Sequence, residues 1–300
     1  MNERRKIFLS EMSIFLLAMI WGGTFVAGKI TMETLPFEWI LVIRFFISSI
    51  LMGLIFFKEW KNCTRETIKI GVILGFFLFL GVSIQMTGLR YTTPAKQSFL
   101  LVSYVIMVPM VHWLINGIRP EKKIFIAGIL CLIGVGLLSL NEELKLGFGD
   151  SLTLLYALIF SFQLVLVSKY AKTSSPPVLF TIIQIFMAGI FSLALVTIFK
   201  IPLDLSKVNQ SSWWGLFYLT VLNTAIAYTI QNVAQKYARP TNTALIMATE
   251  SVFGGIAAVL FVGEVFTPKK FLGCTLIFIA ILLAQWQPKL VDEQKAIGKS

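Results

Sequence analysis

The chain has 300 residues, 57% apolar and only 14% charged, with a mean hydropathy of +0.82. A soluble globular domain cannot hide that much apolar surface, so composition excludes one and makes the bilayer the expected solvent. The formal net charge of +11 would suggest nucleic acid in a soluble protein; here it fits the Lys and Arg of cytoplasmic loops, and no nucleic-acid partner is expected.

A hydrocarbon core of about 30 Å takes roughly 17–25 helical residues. In chain order, ten runs approach that length: residues 12–30, 39–57, 70–89, 98–115, 124–140, 151–167, 178–199, 213–233, 243–262 and 271–286. The fifth, sixth and tenth are the shortest. The first is long enough to stay in the membrane and no small-residue cleavage site ends it, so no removable leader is expected. The linking loops are too short for a soluble domain, and no phosphate-binding G-x-x-x-x-G-K-[ST] occurs, which excludes an ATP-driven pump in this chain alone. Cys63, Cys131 and Cys274 are scattered, with no disulfide framework and no metal spacing. The only histidine, His112, makes no cluster. Neither a metal nor a cofactor is expected.

Ten helices put both termini on one side. Seventeen of the 26 Lys and Arg lie on that side, eight lie opposite, and Arg44 is embedded. The bias predicts cytoplasmic termini.

Two stretches match at one offset. "QMTGLRYTTPAKQSFL" from Gln85 pairs with "QNVAQKYARPTNTALI" from Gln231: Gln85 with Gln231, Arg90 with Lys236, Tyr91 with Tyr237 and Pro94 with Pro240, all 146 residues apart. Earlier pairs, Lys29 with Lys169 and Pro36 with Pro176, stand 140 apart, and Gly128 pairs with Gly273 at 145. The repeated unit is therefore five helices. An odd number forces the halves to cross the membrane in opposite senses, giving an inverted repeat with a midplane site between the halves.

With these residues the chain resembles the EamA type of the drug/metabolite transporter superfamily. The resemblance covers residues 11–287, as two EamA-like repeats at 11–140 and 149–287. It rests on "WGGTFVAGK" closing helix 1, "PFEWILVIRF" with Arg44 in helix 2, "YTTPAKQSFL" opening helix 4, and "ALIMATESVFGGIAAVLFVGE" in helix 9. The family commonly closes this last segment with Gly-Glu, as Gly263–Glu264 do here, but follows its glutamate with proline. Here Ser251 follows Glu250, which predicts a straighter helix 9. The resemblance implies an all-α polytopic protein of ten transmembrane helices, with helices 1–4 and 6–9 lining a central cavity. Helices 5 and 10 would be peripheral and could join a homodimer. It also implies transport, often export, of small metabolites.

Arg44 lies roughly 10 Å inside helix 2 from its outer end, where a charge is costly. It reads either as a fork for a substrate carboxylate or phosphate or as a snorkel to the outer interface. Its repeat mate is Gln184. Glu250, mated with Tyr104, is the central carboxylate. It could couple protons, pair with Arg44, or make a structural hydrogen bond to helix 4. Embedded amides and tyrosines, Gln85, Tyr104, Gln163, Gln184, Asn223, Tyr228, Gln231 and Asn232, either tie helices together or wet a cavity. Trp21, too deep for an aromatic belt, is a cavity wall with Tyr104 and Tyr228. The candidate substrate-binding set is Trp21, Arg44, Gln85, Tyr104, Gln184, Tyr228, Gln231 and Glu250. Gly22 and Gly23, and the Gly71–Gly75 pair, read as close helix contacts.

An enzyme would need a nucleophile, a metal cluster or a paired acid and base, and none is evident. The expected function is secondary active transport, by alternating access, of small organic metabolites such as amino acids, in the export direction. The alternative is a passive facilitator or channel. The expected location is a bacterial cytoplasmic membrane, crossed many times.

Overall fold

The computed structural model describes residues 3–92, 94–117, 119–139, 147–173, 175–262 and 267–285. Gly263 and Glu264, and Lys145, Lys289, Lys295 and Lys299 of the orientation count, lie outside the described residues, as do residues 140, 286 and 287 at the repeat ends. Helix is the regular structure throughout the described residues. In order come α1 (Glu3–Gly22), α2 (Thr24–Met32), α3 (Phe37–Ile55), α4 (Arg65–Tyr91), α5 (Pro94–Leu101), α6 (Tyr104–Asn116), α7 (Lys122–Ser139), α8 (Phe148–Tyr170) and α9 (Pro177–Ile198). Then follow α10 (Gln210–Phe217), a π-helical segment (Tyr218–Ile226), α11 (Ala227–Ala234), α12 (Pro240–Met247), α13 (Glu250–Val262) and α14 (Pro268–Gln285).

Local chemistry sets several boundaries. Thr64 caps α4 by accepting from the Thr67 backbone N–H at 3.1 Å, which satisfies one of the orphan donors of a first turn. Proline opens α9 and α12, where its missing N–H costs nothing. Gly117 ends α6 at φ +70°, a left-handed conformation suited to glycine.

Among the described residues, five spans are long and apolar enough to cross a membrane: Glu3–Met32, Phe37–Ile55, Arg65–Tyr91, Phe148–Tyr170 and Pro177–Ile198. The sixth run, expected among the shortest, is a helix of 23 residues, because Phe148, Gly149 and Asp150 extend its start and Ser168, Lys169 and Tyr170 its end. Three other runs are interrupted. Residues 94–116 break between α5 and α6, residues 210–234 pass through the π segment, and residues 240–262 break between α12 and α13. The last break corrects the expectation of a straight helix 9. Without a proline, the hydroxyls of Thr249 and Ser251 donate back to Ile246 O and Ala248 O at 2.7 Å. Short-range bonds such as Thr249 N–H to Ile246 O tighten the chain there. Ser/Thr back-bonding competes with the α-helical ladder and bends it.

Packing follows the small residues. Helix α4 lies between α8 and α9, α9 also covers α3, and α7 pairs with α14. Gly71 and Gly75 face α9 so closely that a Cβ on Gly75 would stand 2.7 Å from Gln184 O. In the "WGGTFVAGK" stretch, α1 ends at Gly22 and α2 restarts at Thr24. A Cβ on Gly22 would sit 2.7 Å from Phe253 Cβ, 2.8 Å from Gly254 N and 2.9 Å from Glu250 O. The break in the first helical run thus rests directly on the start of α13.

Gly22→Ala is expected to destabilise the fold by about 1–3 kcal/mol, because two of the three clashing atoms are backbone and cannot rotate away. Gly28→Ala, whose nearest neighbour would be Met86 Cε at 3.7 Å, is expected to be near neutral. Unfolding of the two purified variants in mixed detergent compares them directly; equal losses would mean that Gly22 is not a packing constraint.

Candidate functional site

Helix α3 buries one face: Ile40, Leu41, Arg44, Phe45, Ser48 and Met52 recur at helical spacing. Arg44 and Ser48, one turn apart, both meet the π segment. Ser48 Oγ donates to Thr220 O at 2.6 Å. The Arg44 guanidinium donates from Nε to Thr224 Oγ1 at 2.5 Å and from Nη2 to Asn223 Oδ1 at 2.7 Å. The wide π turn shapes this contact, with Thr224 Oγ1 donating five residues back to Leu219 O at 2.6 Å. Such segments interrupt α-helices rarely and often at functional sites.

Asn223 joins three elements. Its Oδ1 accepts from Arg44, its Nδ2 donates to Thr24 Oγ1, and its backbone O accepts from Trp21 Nε1 at 3.3 Å. Tyr218, at the start of the π segment, donates its hydroxyl to Ile20 O. The Gly22–Gly23 break leaves room for these contacts. A Cβ on Gly23 would meet the Tyr218 hydroxyl.

Above this knot lies a small cavity of about 30 Å³. A single water needs about 10–15 Å³ on this measure, so it holds about two waters and no metabolite. Trp21, Thr24, Phe25, Arg44, Gln85, Leu101, Tyr156, Phe160, Asn223, Tyr228 and Glu250 line it. The aromatic rings meet in tilted pairs. Trp21 lies 5.8 Å from Phe160 and 5.4 Å from Tyr228, and Tyr156 lies 5.8 Å from Phe160.

Five of the eight residues singled out from sequence, Trp21, Arg44, Gln85, Tyr228 and Glu250, meet at this cavity. Three do not line it. Tyr104 stands behind Glu250, its hydroxyl 3.5 Å from Glu250 Oε1 and its ring 5.3 Å from Phe160. Gln184 accepts from Asn232 Nδ2 at 2.9 Å, tying α9 to α11. Gln231 donates to Gln235 Oε1 at 3.4 Å, within the neighbourhood of α11. Glu250 therefore makes the structural contact to the helix 4 run. Among the described residues no ion pair joins it to Arg44.

Sequence reasoning passed over Thr24, Phe25, Tyr156, Phe160 and Thr224. Helical spacing was a usable signal for some of them. Thr24 and Phe25 follow Trp21 by three and four residues, and Phe160 follows Tyr156 by four, which places each set on one face. Thr224 carries no such signal, because its direction depends on the π turn.

Arg44 is 3% exposed and its described hydrogen-bond partners are neutral. Of five guanidinium N–H donors, two are engaged and three have no described partner, in a side chain that lines the cavity. The site thus sets a guanidinium with unengaged donors and the Glu250 carboxyl among aromatic walls.

Removing the amide in Asn223→Ala leaves a guanidinium donor and the Thr24 hydroxyl short of a partner, while the Trp21 bond, made to the backbone O of residue 223, remains. The expected loss of stability is about 3 kcal/mol. Asn223→Asp, which keeps an acceptor for Arg44, is expected to lose less. Reversible unfolding in detergent checks the order; a near-neutral Asn223→Ala would show that the knot carries no stability.

Comparison with known proteins agrees with this architecture. The EamA-like transporter family model matches twice, over residues 9–140 and 147–286. An uncharacterized transporter of Archaeoglobus fulgidus is 31% identical over 94% of this chain and 87% of its own length. The uncharacterized transporter YoaV of Bacillus subtilis is 22% identical over 73% of this chain and 77% of its own. A protein crystal structure superposes with a TM-score of 0.74 at 15% identity, covering 93% of this chain and 96% of that one, which speaks for the fold. The chain is therefore an all-helical, polytopic integral membrane protein and belongs to the EamA-like transporter family.

Proposed function

We propose that this chain is a secondary active transporter of small organic metabolites that carry a carboxylate, amino acids and related compounds among them. It works by alternating access at the cavity that holds Arg44. Export is the direction common in the family. The observation that carries the reading is Arg44 itself: a buried guanidinium in a cavity, held by neutral oxygens, with donors left for an anion.

The architecture proposed for this work is ten membrane helices in two inverted repeats, residues 11–140 and 149–287, with both termini cytoplasmic. The double family match supports it. So does the meeting of Tyr104 and Glu250, which are separated by the repeat offset of 146 and touch, as residues beside a pseudo-two-fold axis do. Runs that correspond between the halves also pack on each other: α3 on α9, α7 on α14, and α6 on α12. In this arrangement α1–α2, α5–α6, the α10–α11 run with its π segment, and α12–α13 each count as one membrane helix. A homodimer would use the outward faces of α7 and α14, where Ile129, Ile133, Ile279 and Leu282 are exposed.

A cavity for two waters must enlarge to admit a metabolite. Binding energy then has to favour an open or expanded state. In proteoliposomes, labelled carboxylated metabolites are expected to show saturable, trans-stimulated counterflow. Arg44→Ala is expected to lose it by a factor of 100 or so, the cost of a charge-assisted pair of about 3 kcal/mol. Arg44→Lys, which keeps the charge but not the fork, should fall between. Flux without saturation or trans-stimulation would mark a passive facilitator. Full counterflow in Arg44→Ala, with unfolding temperature unchanged, would remove the carboxylate role.

A further inference from the structure

A second opening lies on the flank of the bundle, between the start of α1 and the end of α11. It measures about 300 Å³. Leu9, Ile230, Val233 and Ala234 make its apolar wall, and Lys6, Ser10 and Tyr237 add polar groups. Two further hydroxyls there are already engaged: Ser13 Oγ donates to Leu9 O at 2.8 Å and Thr229 Oγ1 to Ala225 O at 2.6 Å. Ser10 differs. It is 7% exposed, lines the crevice, and has no described hydrogen-bond partner. Its hydroxyl is accessible from the crevice, where a ligand group can bond it.

Charge at this end of the bundle is mostly positive. The Lys6 ammonium lies 5.5 Å from the Tyr237 ring centroid. Arg4, Arg5, Lys236 and Arg239 are exposed nearby in sequence, on the same helix ends. The acidic groups of the segment are already occupied or lie in solvent. Glu11 accepts from Asn242 at 3.1 Å, and the 82% exposed Glu3 stands 3.9 Å from Lys6. Lys6 and Ser10 are four residues apart on one helix face, which separates them by about 6 Å along the axis.

We propose that this crevice binds one anionic phospholipid. An acyl chain lies along Leu9, Ile230 and Val233, the Ser10 hydroxyl donates to a glycerol ester oxygen, and the Lys6 ammonium sits beside the phosphate. The apolar wall explains why a lipid rather than a free anion binds. The excess of basic groups explains why an anionic headgroup is preferred to a zwitterionic one. This site is separate from the Arg44 cavity and does not depend on what that cavity carries.

The test uses the full purified chain, delipidated in detergent and titrated with phosphatidylglycerol or phosphatidylcholine of identical acyl chains. Adducts are counted by native mass spectrometry, and unfolding temperature is followed in parallel. Phosphatidylglycerol is expected to give a one-to-one adduct and the larger rise in unfolding temperature, and inorganic phosphate alone to give no rise. Lys6→Ala should cut the preference for phosphatidylglycerol about fivefold, and Lys6→Arg should keep it. Val233→Trp, which fills the apolar wall from a partly exposed position, should abolish the adduct. Equal binding of the two lipids by the wild-type chain would overturn the proposal. So would an unchanged preference in Lys6→Ala, a retained adduct in Val233→Trp, or a rise with inorganic phosphate that matches the rise with lipid.

Discussion

The burial of the Arg44 guanidinium is the constraint on which the centre of the molecule depends. A positive charge this deep in a membrane-spanning helix is expensive whichever scale is used, and no carboxylate pairs with it among the described residues. Its cost is offset by oxygens of Asn223 and Thr224. Both belong to the π segment, so the irregular helix and the buried cation are one feature. The wide turn lets two successive side chains reach the guanidinium and leaves Thr220 O and Asn223 O to accept from Ser48 and Trp21. Through Asn223 the same knot holds the break in the first helical run.

Helix irregularity recurs beside the cavity, although α3, α4 and α8 reach it unbroken. The first run breaks at Gly23, the fourth between Leu101 and Tyr104, the eighth widens into the π turn, and the ninth breaks before Glu250. Non-helical backbone at membrane depth is tolerated where protein or a cavity covers it, and each break here is covered. Gly22 lies against Glu250 O and Gly254 N, so two breaks stack on each other. By contrast α7 and α14, which pair away from the cavity, are uninterrupted. At the cavity, unbroken α3, α4 and α8 supply Arg44, Gln85 and Tyr156, and the interrupted runs supply Trp21, Asn223, Tyr228 and Glu250.

Much of this frame was legible in the chain. Apolar runs located the helices because a bilayer demands long stretches of one polarity. Arg44, Glu250 and Trp21 stood out because each is the wrong residue for hydrocarbon at its depth. The internal breaks were not legible. Ser251 in place of a proline suggested a straight helix, yet the Thr249 and Ser251 hydroxyls bend the chain through their own backbone bonds. Gln184 and Gln231 shared the polarity of the cavity residues, but Gln184 bonds α11 and Gln231 bonds Gln235 at the end of its own helix. Residue type reports that a polar group needs a partner; only the rotation of its helix says whether that partner is a helix or a ligand. For Thr224 even helical rotation fails, since the π turn shifts everything after it.

On the proposed transport reading, the neutral partners of Arg44 have a further consequence. A carboxylate makes shorter and roughly twice stronger bonds to a guanidinium than an amide oxygen does. A carboxylated substrate that bonds the donors left on Arg44 would therefore draw the guanidinium toward itself and away from Asn223 Oδ1. Moving that amide disturbs its bond to Thr24 as well, because the same side chain makes both contacts. The energy that binds substrate is then the energy that loosens the first helical run from the π segment, at the Gly22–Gly23 break where it is already interrupted. A ligand moves a conformational equilibrium only by its different affinity for the two states. An arginine held by a strong anion partner in the empty protein would have little such difference to offer, and a neutral hold leaves it available.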